Sequence, residues 1–214
     1  MPRTSHTAES ELRRIRDALV RLVADLGFRT VTLGSLLDAA GIEEAAFRRH
    51  FADLDACFVA VWGELTQEFL ECTGGAFAAA EDWRDGMRAA GWAYCRFLQD
   101  DHSRARYLIE LSFGSELVAA SRDFIMNGYT ELVHLGRFER EEAAGVPRER
   151  AEGIVGAIWE RIAQTVMADR FEEFPAATVQ LMYLTVLPYL GDAAAREELR
   201  RGPADIARYE RGEI

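Results

Sequence analysis

Between Gly27 and Phe51 the chain carries two short apolar segments separated by one glycine, and this run admits few folds. Thr32 precedes Leu33-Gly34-Ser35-Leu36-Leu37-Asp38-Ala39-Ala40, where its hydroxyl can accept from the free N–H groups of a first helical turn. Gly41 follows, suited to the left-handed residue that stops a helix. After Ile42, residues 43–51 set Phe47 and Phe51 four apart, on one helical face. Two short helices joined by a tight glycine turn make a helix-turn-helix. Upstream, Leu12, Ile15, Leu19, Leu22 and Leu26 recur at steps of three and four, a helical stripe over 10–26 with Ser10 as expected cap and Gly27 as stop. With Phe28, Leu33, Leu36, Leu37, Ile42, Phe47 and Phe51, that stripe predicts a small three-helix core.

The remainder stays helical in period. Segments at about 54–72, 82–99, 103–112, 116–136, 147–169 and 176–190 are separated by glycines, aspartates or prolines, and Gly74-Gly75 is expected to end or kink the first of them. No alternating strand pattern of useful length occurs, and there are only five prolines. The prediction is an all-α protein of about nine helices: a helix-turn-helix head over 1–52 and a larger helical body over 53–214, with no flexible spacer.

Charge separates the same two parts. The chain carries a formal net charge of -11, yet residues 1–51 hold eight arginines against seven acids. Only this near-neutral head is expected to approach a polyanion. All 25 basic side chains are arginine. Three scattered cysteines, Cys57, Cys72 and Cys95, form neither a disulfide framework nor a zinc knuckle and read as small core residues in a reducing, cytoplasmic setting. The longest uncharged run, 174–191, is interrupted by Pro175 and Pro188 and is too short to span a bilayer, so a soluble protein is expected. Glu131 and His134 have the spacing of a di-iron helix motif, but no second such motif exists, so they read as the polar face of a surface helix and no metal is expected. No phosphate loop, nucleophile elbow or paired-carboxylate motif stands out; neither an enzyme nor a cofactor is expected.

The run 27–42, Gly-Phe-Arg-Thr-Val-Thr-Leu-Gly-Ser-Leu-Leu-Asp-Ala-Ala-Gly-Ile, followed by Phe47-Arg48-Arg49-His50-Phe51, resembles the DNA-binding head of tetracycline-repressor-like (TetR family) regulators. The segment 181–190 also resembles the last core helix of some members. The resemblance implies that the second short helix enters the major groove, where base edges carry a readable code, while its surroundings hold phosphates. The residues implied to meet DNA are Thr32, Glu43, Glu44, Ala46, Arg48, Arg49 and His50. The departures are informative: Glu43 and Glu44 stand where a small hydroxyl cap is common, Ala45-Ala46 where Gly-Thr is common, and Leu54 where a phosphate-binding lysine is common. Arg48 replaces the usual tyrosine, whereas His50 fits the pattern.

For the body, the resemblance implies a cavity for a small lipophilic effector, placed here on Phe69, Trp92, Cys95, Tyr107, Met126 and Tyr129. It also implies a homodimer interface on the last two helices, placed on Ile154, Ile158, Trp159, Ile162, Met182, Tyr183 and Val186. Its partners would be double-stranded DNA with a palindromic operator, the effector, and a second copy, with no membrane. The function implied is a ligand-responsive transcription regulator, most simply a repressor; the alternative is a helical ligand-binding or protein-interaction dimer whose head has lost specific DNA recognition.

Overall fold

The computed structural model describes residues 3–201, with side chains from residue 8 onward. Nine α-helices and short 3-10 turns, with no strand, make up the described residues. They are α1 (Arg3–Leu26), α2 (Leu33–Ala40), α3 (Glu44–Phe47), α4 (Leu54–Ala78), α5 (Trp83–Asp100), α6 (His102–Gly114), α7 (Ala119–His134), α8 (Arg148–Met167) and α9 (Phe174–Arg200). No helix among the described residues is long and apolar enough to cross a membrane.

By packing, the described residues divide into two compact units, one made of the residues up to 68 with 101–120 and the other of 69–100 with those from 121 on. The first holds α1 to α3, most of α4, and α6. Its core is Ile15, Leu19 and Val23 of α1 with Leu36, Phe47, Leu65 and Leu111, all sealed from solvent. The stripe expected on α1 is rotated: Leu12 is 41% and Leu26 52% exposed, while Ala18 and Val23 are buried instead. The reason is that α1 packs on α2 and on α6, so its buried arc is set by two neighbours rather than one. Arg16 adds ion pairs of 2.7 Å to both Glu64 and Glu68.

The second unit packs Trp83 and Met87 of α5 against Val133, Ile154, Val155, Met182, Val186 and Tyr189. Trp83 donates its indole N–H to the Leu132 carbonyl at 3.0 Å, and its ring meets Tyr189 edge-on at 5.2 Å. Glu198, with 1% of its side chain exposed, accepts from Arg84 at 2.6 Å and from Arg88 at 2.7 Å, tying α9 to α5.

Some expected boundaries shift. Ser10 lies inside α1, which starts at Arg3, so it caps nothing. Helix α4 runs through Gly74-Gly75, where a Cβ would meet open space and nothing forces a turn. Helix α9 continues past 190, broken at Gly191 with φ 82°, a value that glycine adopts without strain.

Candidate functional site

Thr32 caps α2 as its sequence position requires. Its hydroxyl accepts from the Ser35 N–H at 3.1 Å, and the Ser35 hydroxyl accepts from the Thr32 N–H at 3.0 Å, a reciprocal capping box. Gly41 stops α2 with φ 61°, and its carbonyl accepts from Arg14 at 3.2 Å. Helix α3 begins after Glu43, which makes no side-chain cap bond, and Phe47 and Phe51 pack with ring centroids 5.4 Å apart and planes tilted by 42°.

Around α3, Thr32, Glu43, Glu44, Arg48 and Arg49 are exposed. Two of the residues placed at the duplex are not. Ala46 is buried beside Phe47, which leaves Ala45 as the exposed alanine, and the His50 side chain is only 12% exposed. The arginines already have partners. Arg48 donates to the Glu44 carboxylate at 3.1 Å and to the Ala52 carbonyl, and Arg49 donates to Glu11 at 3.0 Å. Glu11 also meets His50 at 2.9 Å. The His50 hydrogen bond, with Arg49 behind it, holds the Glu11 carboxyl below its ordinary value against the upward push of burial. A phosphate therefore shares or competes with Glu44 and Glu11 for the two guanidiniums.

In the second unit a cavity of about 100 Å³ opens among α4, α5, α7, α8 and α9. Of the residues placed at an effector cavity, Phe69, Cys95, Met126 and Tyr129 lie in its lining. Trp92 and Tyr107 do not. Met87, Ala90, Gly91, Tyr94 and Leu98 form the lining stripe of α5, and at 100° per residue Trp92 falls roughly a third of a turn away from it. Tyr107 belongs to the first unit, fully buried, with its hydroxyl donated to the Phe58 carbonyl at 2.9 Å.

The residues placed at a dimer interface mostly turn inward. Ile154, Ile162, Met182 and Val186 are buried within the unit, and Ile158, Trp159 and Tyr183 are half-buried. Ile158, Trp159, Ile162 and Met182 line the cavity. The outward face of α8 is instead Gly153, Ala157, Glu160, Gln164 and Met167, and that of α9 includes Gln180 and Leu184.

Glu131 and His134 also separate: Glu131 is exposed and paired with Arg148 at 2.7 Å, while His134 is buried 6.4 Å from the Tyr189 ring. Their face is therefore not a solvent face, and among the described residues no cluster of three or more metal-binding side chains occurs. Cys57 and Cys95 are buried, and burial pushes the Cys57 thiol up to about 12; Cys72 is exposed.

A capped helix-turn-helix in one unit and a separate helical unit with a partly open apolar cavity define an all-α, two-unit helix-turn-helix fold. More narrowly, the fold is that of TetR-family transcription regulators. A gamma-butyrolactone receptor (ArpA-like protein) superposes with a TM-score of 0.72 at 12% identity, covering 96% of this chain and 99% of that one. The fatty acid degradation regulator FadR of Bacillus halodurans gives 0.71 at 19% identity, covering 82% and 97%. FadR of Bacillus subtilis, solved in complex with stearoyl-CoA, gives 0.69 at 18%, covering 82% and 98%. No family model and no curated protein matches the sequence.

Proposed function

We propose that this protein is a cytoplasmic, homodimeric, ligand-responsive transcription regulator of the TetR type, acting as a repressor. Residues 1–52 would form the DNA-binding head, and 53–214 the effector-binding and dimerisation body. The observation that carries the reading is the joint presence of the α2–α3 helix-turn-helix and a separate, partly open apolar cavity. The solved relatives of this fold support it, being regulators that include a receptor and an acyl-CoA complex. A dimer would present two recognition helices to half-sites about 34–36 Å apart. A small lipophilic effector would favour a spacing that no longer fits the operator, with coupling of about 1–3 kcal/mol.

One observation favours a second reading. Arg48 and Arg49, just after α3, are paired with Glu44 and Glu11, as a head that has lost specific recognition would show. Selection of bound duplexes from a random library separates the two. A palindromic consensus is the expected result; no enrichment supports a ligand-binding dimer with a degenerate head.

A further inference from the structure

The cavity of the second unit has apolar walls, so its few polar atoms decide what it holds. Four threonines line it, and each hydroxyl donates to the carbonyl four residues earlier. Thr73 donates to Phe69 at 3.0 Å, and Thr165, Thr178 and Thr185 donate to Arg161, Phe174 and Leu181 at 2.9 Å. Tyr129 lies 2.8 Å from Thr73; because the Thr73 hydrogen goes to Phe69, Tyr129 is the donor in that pair. Arg161 is the charged side chain of the lining, and Glu173 occupies it at 3.0 Å.

Tyr94 differs from all of these. Its ring is held by Phe69 at a centroid distance of 4.6 Å, and among the described residues its hydroxyl has no hydrogen-bond partner. Burial, with Tyr129 adding to it, pushes its pKa well above the ordinary phenol value. The group is thus a neutral O–H donor at the cavity wall with no protein acceptor among these residues, available to an acceptor that a ligand brings.

We propose that Tyr94 is the specificity-determining donor of this cavity, and that the ligand is a small uncharged apolar molecule with one carbonyl-type acceptor, such as a ketone or ester. Arg161 already holds Glu173, which Arg170 shares, so an anionic headgroup must compete with that carboxylate, and anywhere else in these walls an unpaired charge is costly to bury. Size points the same way: an apolar cavity of about 150 Å³ holds benzene, so one of about 100 Å³ encloses no more than a single ring unless side chains move. Met87, Met126 and Met182 of the lining are the side chains best able to yield to a longer ligand. This proposal rests on the reading of the unit as an effector-binding body.

The test is ligand-observed NMR titration of the full chain with cyclohexanone, cyclohexene and cyclohexanecarboxylate. Cyclohexanone is expected to bind most tightly and the carboxylate least. Tyr94→Phe should weaken cyclohexanone about 3- to 10-fold, the scale of one neutral hydrogen bond, and leave cyclohexene unchanged. Equal loss for both rings, a carboxylate that binds best, or no binding of any probe would overturn the proposal. Should Tyr94→Phe fail to fold, the ketone-to-alkene ratio in the unaltered protein decides, and a ratio of one sinks the idea. The titrations contain no DNA. A failed duplex selection with the ketone preference intact would therefore remove the regulator reading and leave this one standing.

Discussion

A carboxylate 38 residues away in sequence determines what Arg49 is free to do. Glu11 is buried under the turn that follows α3 and pairs with Arg49, while Glu44 pairs with Arg48 on the surface. Phosphate neutralisation supplies much of a regulator's affinity for DNA, so releasing one guanidinium has a readable effect. Glu44→Gln should tighten binding to every duplex alike and steepen the log–log salt slope by about 0.9, one phosphate contact. Titration of operator and random duplex at two salt concentrations checks this. A loss of preference at one base pair instead would mark Glu44 as reading a cytosine amino group. Glu198 gives a second residue-scale prediction. Burial pushes its carboxyl up, but Arg88 and Arg84 prevail and hold it below the ordinary value. A depressed folded pKa means stability that is complete above the unfolded value and lost as pH falls through the folded one. Glu198→Gln should therefore cost about 3–5 kcal/mol near neutrality, and the difference from the unaltered chain should shrink in acid below the carboxylate range. Melts at neutral and acid pH read it. At this scale, what the sequence reveals is local: the Thr32 cap and the Gly41 stop depend on neighbours within a few residues. The partners of Arg49 and Glu198 lie on other helices, and no spacing rule reaches them.

Helices show the same limit in another form. Periodicity locates α5, α6 and α8 to within a residue or two, because the pattern is written in each helix's own residues. Which way an apolar stripe faces depends on what packs against it. Ile154, Ile158 and Ile162 look like an interface stripe, yet they turn to the core and cavity, and the small and polar residues opposite them face out. Trp92 and Cys95 are three apart, but the lining arc of α5 is centred on Gly91 and Tyr94, so it reaches Cys95 and misses Trp92. Close packing at helix ends is equally invisible until assembled. Gly114 closes α6 against Phe28, where a Cβ would lie 2.7 Å from the ring. The Phe28 N–H is held by Glu110 at 3.1 Å and Arg29 by the Gly114 carbonyl at 3.2 Å, so the ring has little room to retreat. Gly114→Ala should cost about 1–3 kcal/mol through overpacking. In a chain of this size that is a fall in Tm of about 2–4 °C per kcal/mol, read by calorimetry. An unchanged Tm would show that Phe28 repacks freely.

For the whole molecule, the all-α class is legible because nine periodic segments and no alternating one leave no other architecture, while the pairing of 101–120 with the residues up to 68 in one compact unit has no local signature. Assembly follows from what the fold leaves uncovered. With the isoleucine stripe of α8 turned inward, a second copy would meet the outward faces of α8 and α9, where Met167 is 50% and Leu184 43% exposed. Gly153 and Ala157 on the same side of α8 would let a facing helix approach closely. We expect the chain to sediment at twice its 24.0 kDa. Leu184→Asp should weaken that association by about 2 kcal/mol or more, because it replaces one of the few large apolar side chains of that face with a charge. The monomer should remain folded, since the side chain is already exposed there and its replacement empties no core. Ile158→Asp provides the contrast: it puts a carboxylate into the cavity wall, so it should lower the Tm and abolish apolar-ligand binding whatever the oligomeric state. Sedimentation velocity with circular dichroism on the three proteins distinguishes the cases. If the unaltered chain is a stable folded monomer, or if Leu184→Asp stays as tightly dimeric as its parent, then the α8–α9 face is not the interface and two-fold readout of a palindrome loses its structural basis.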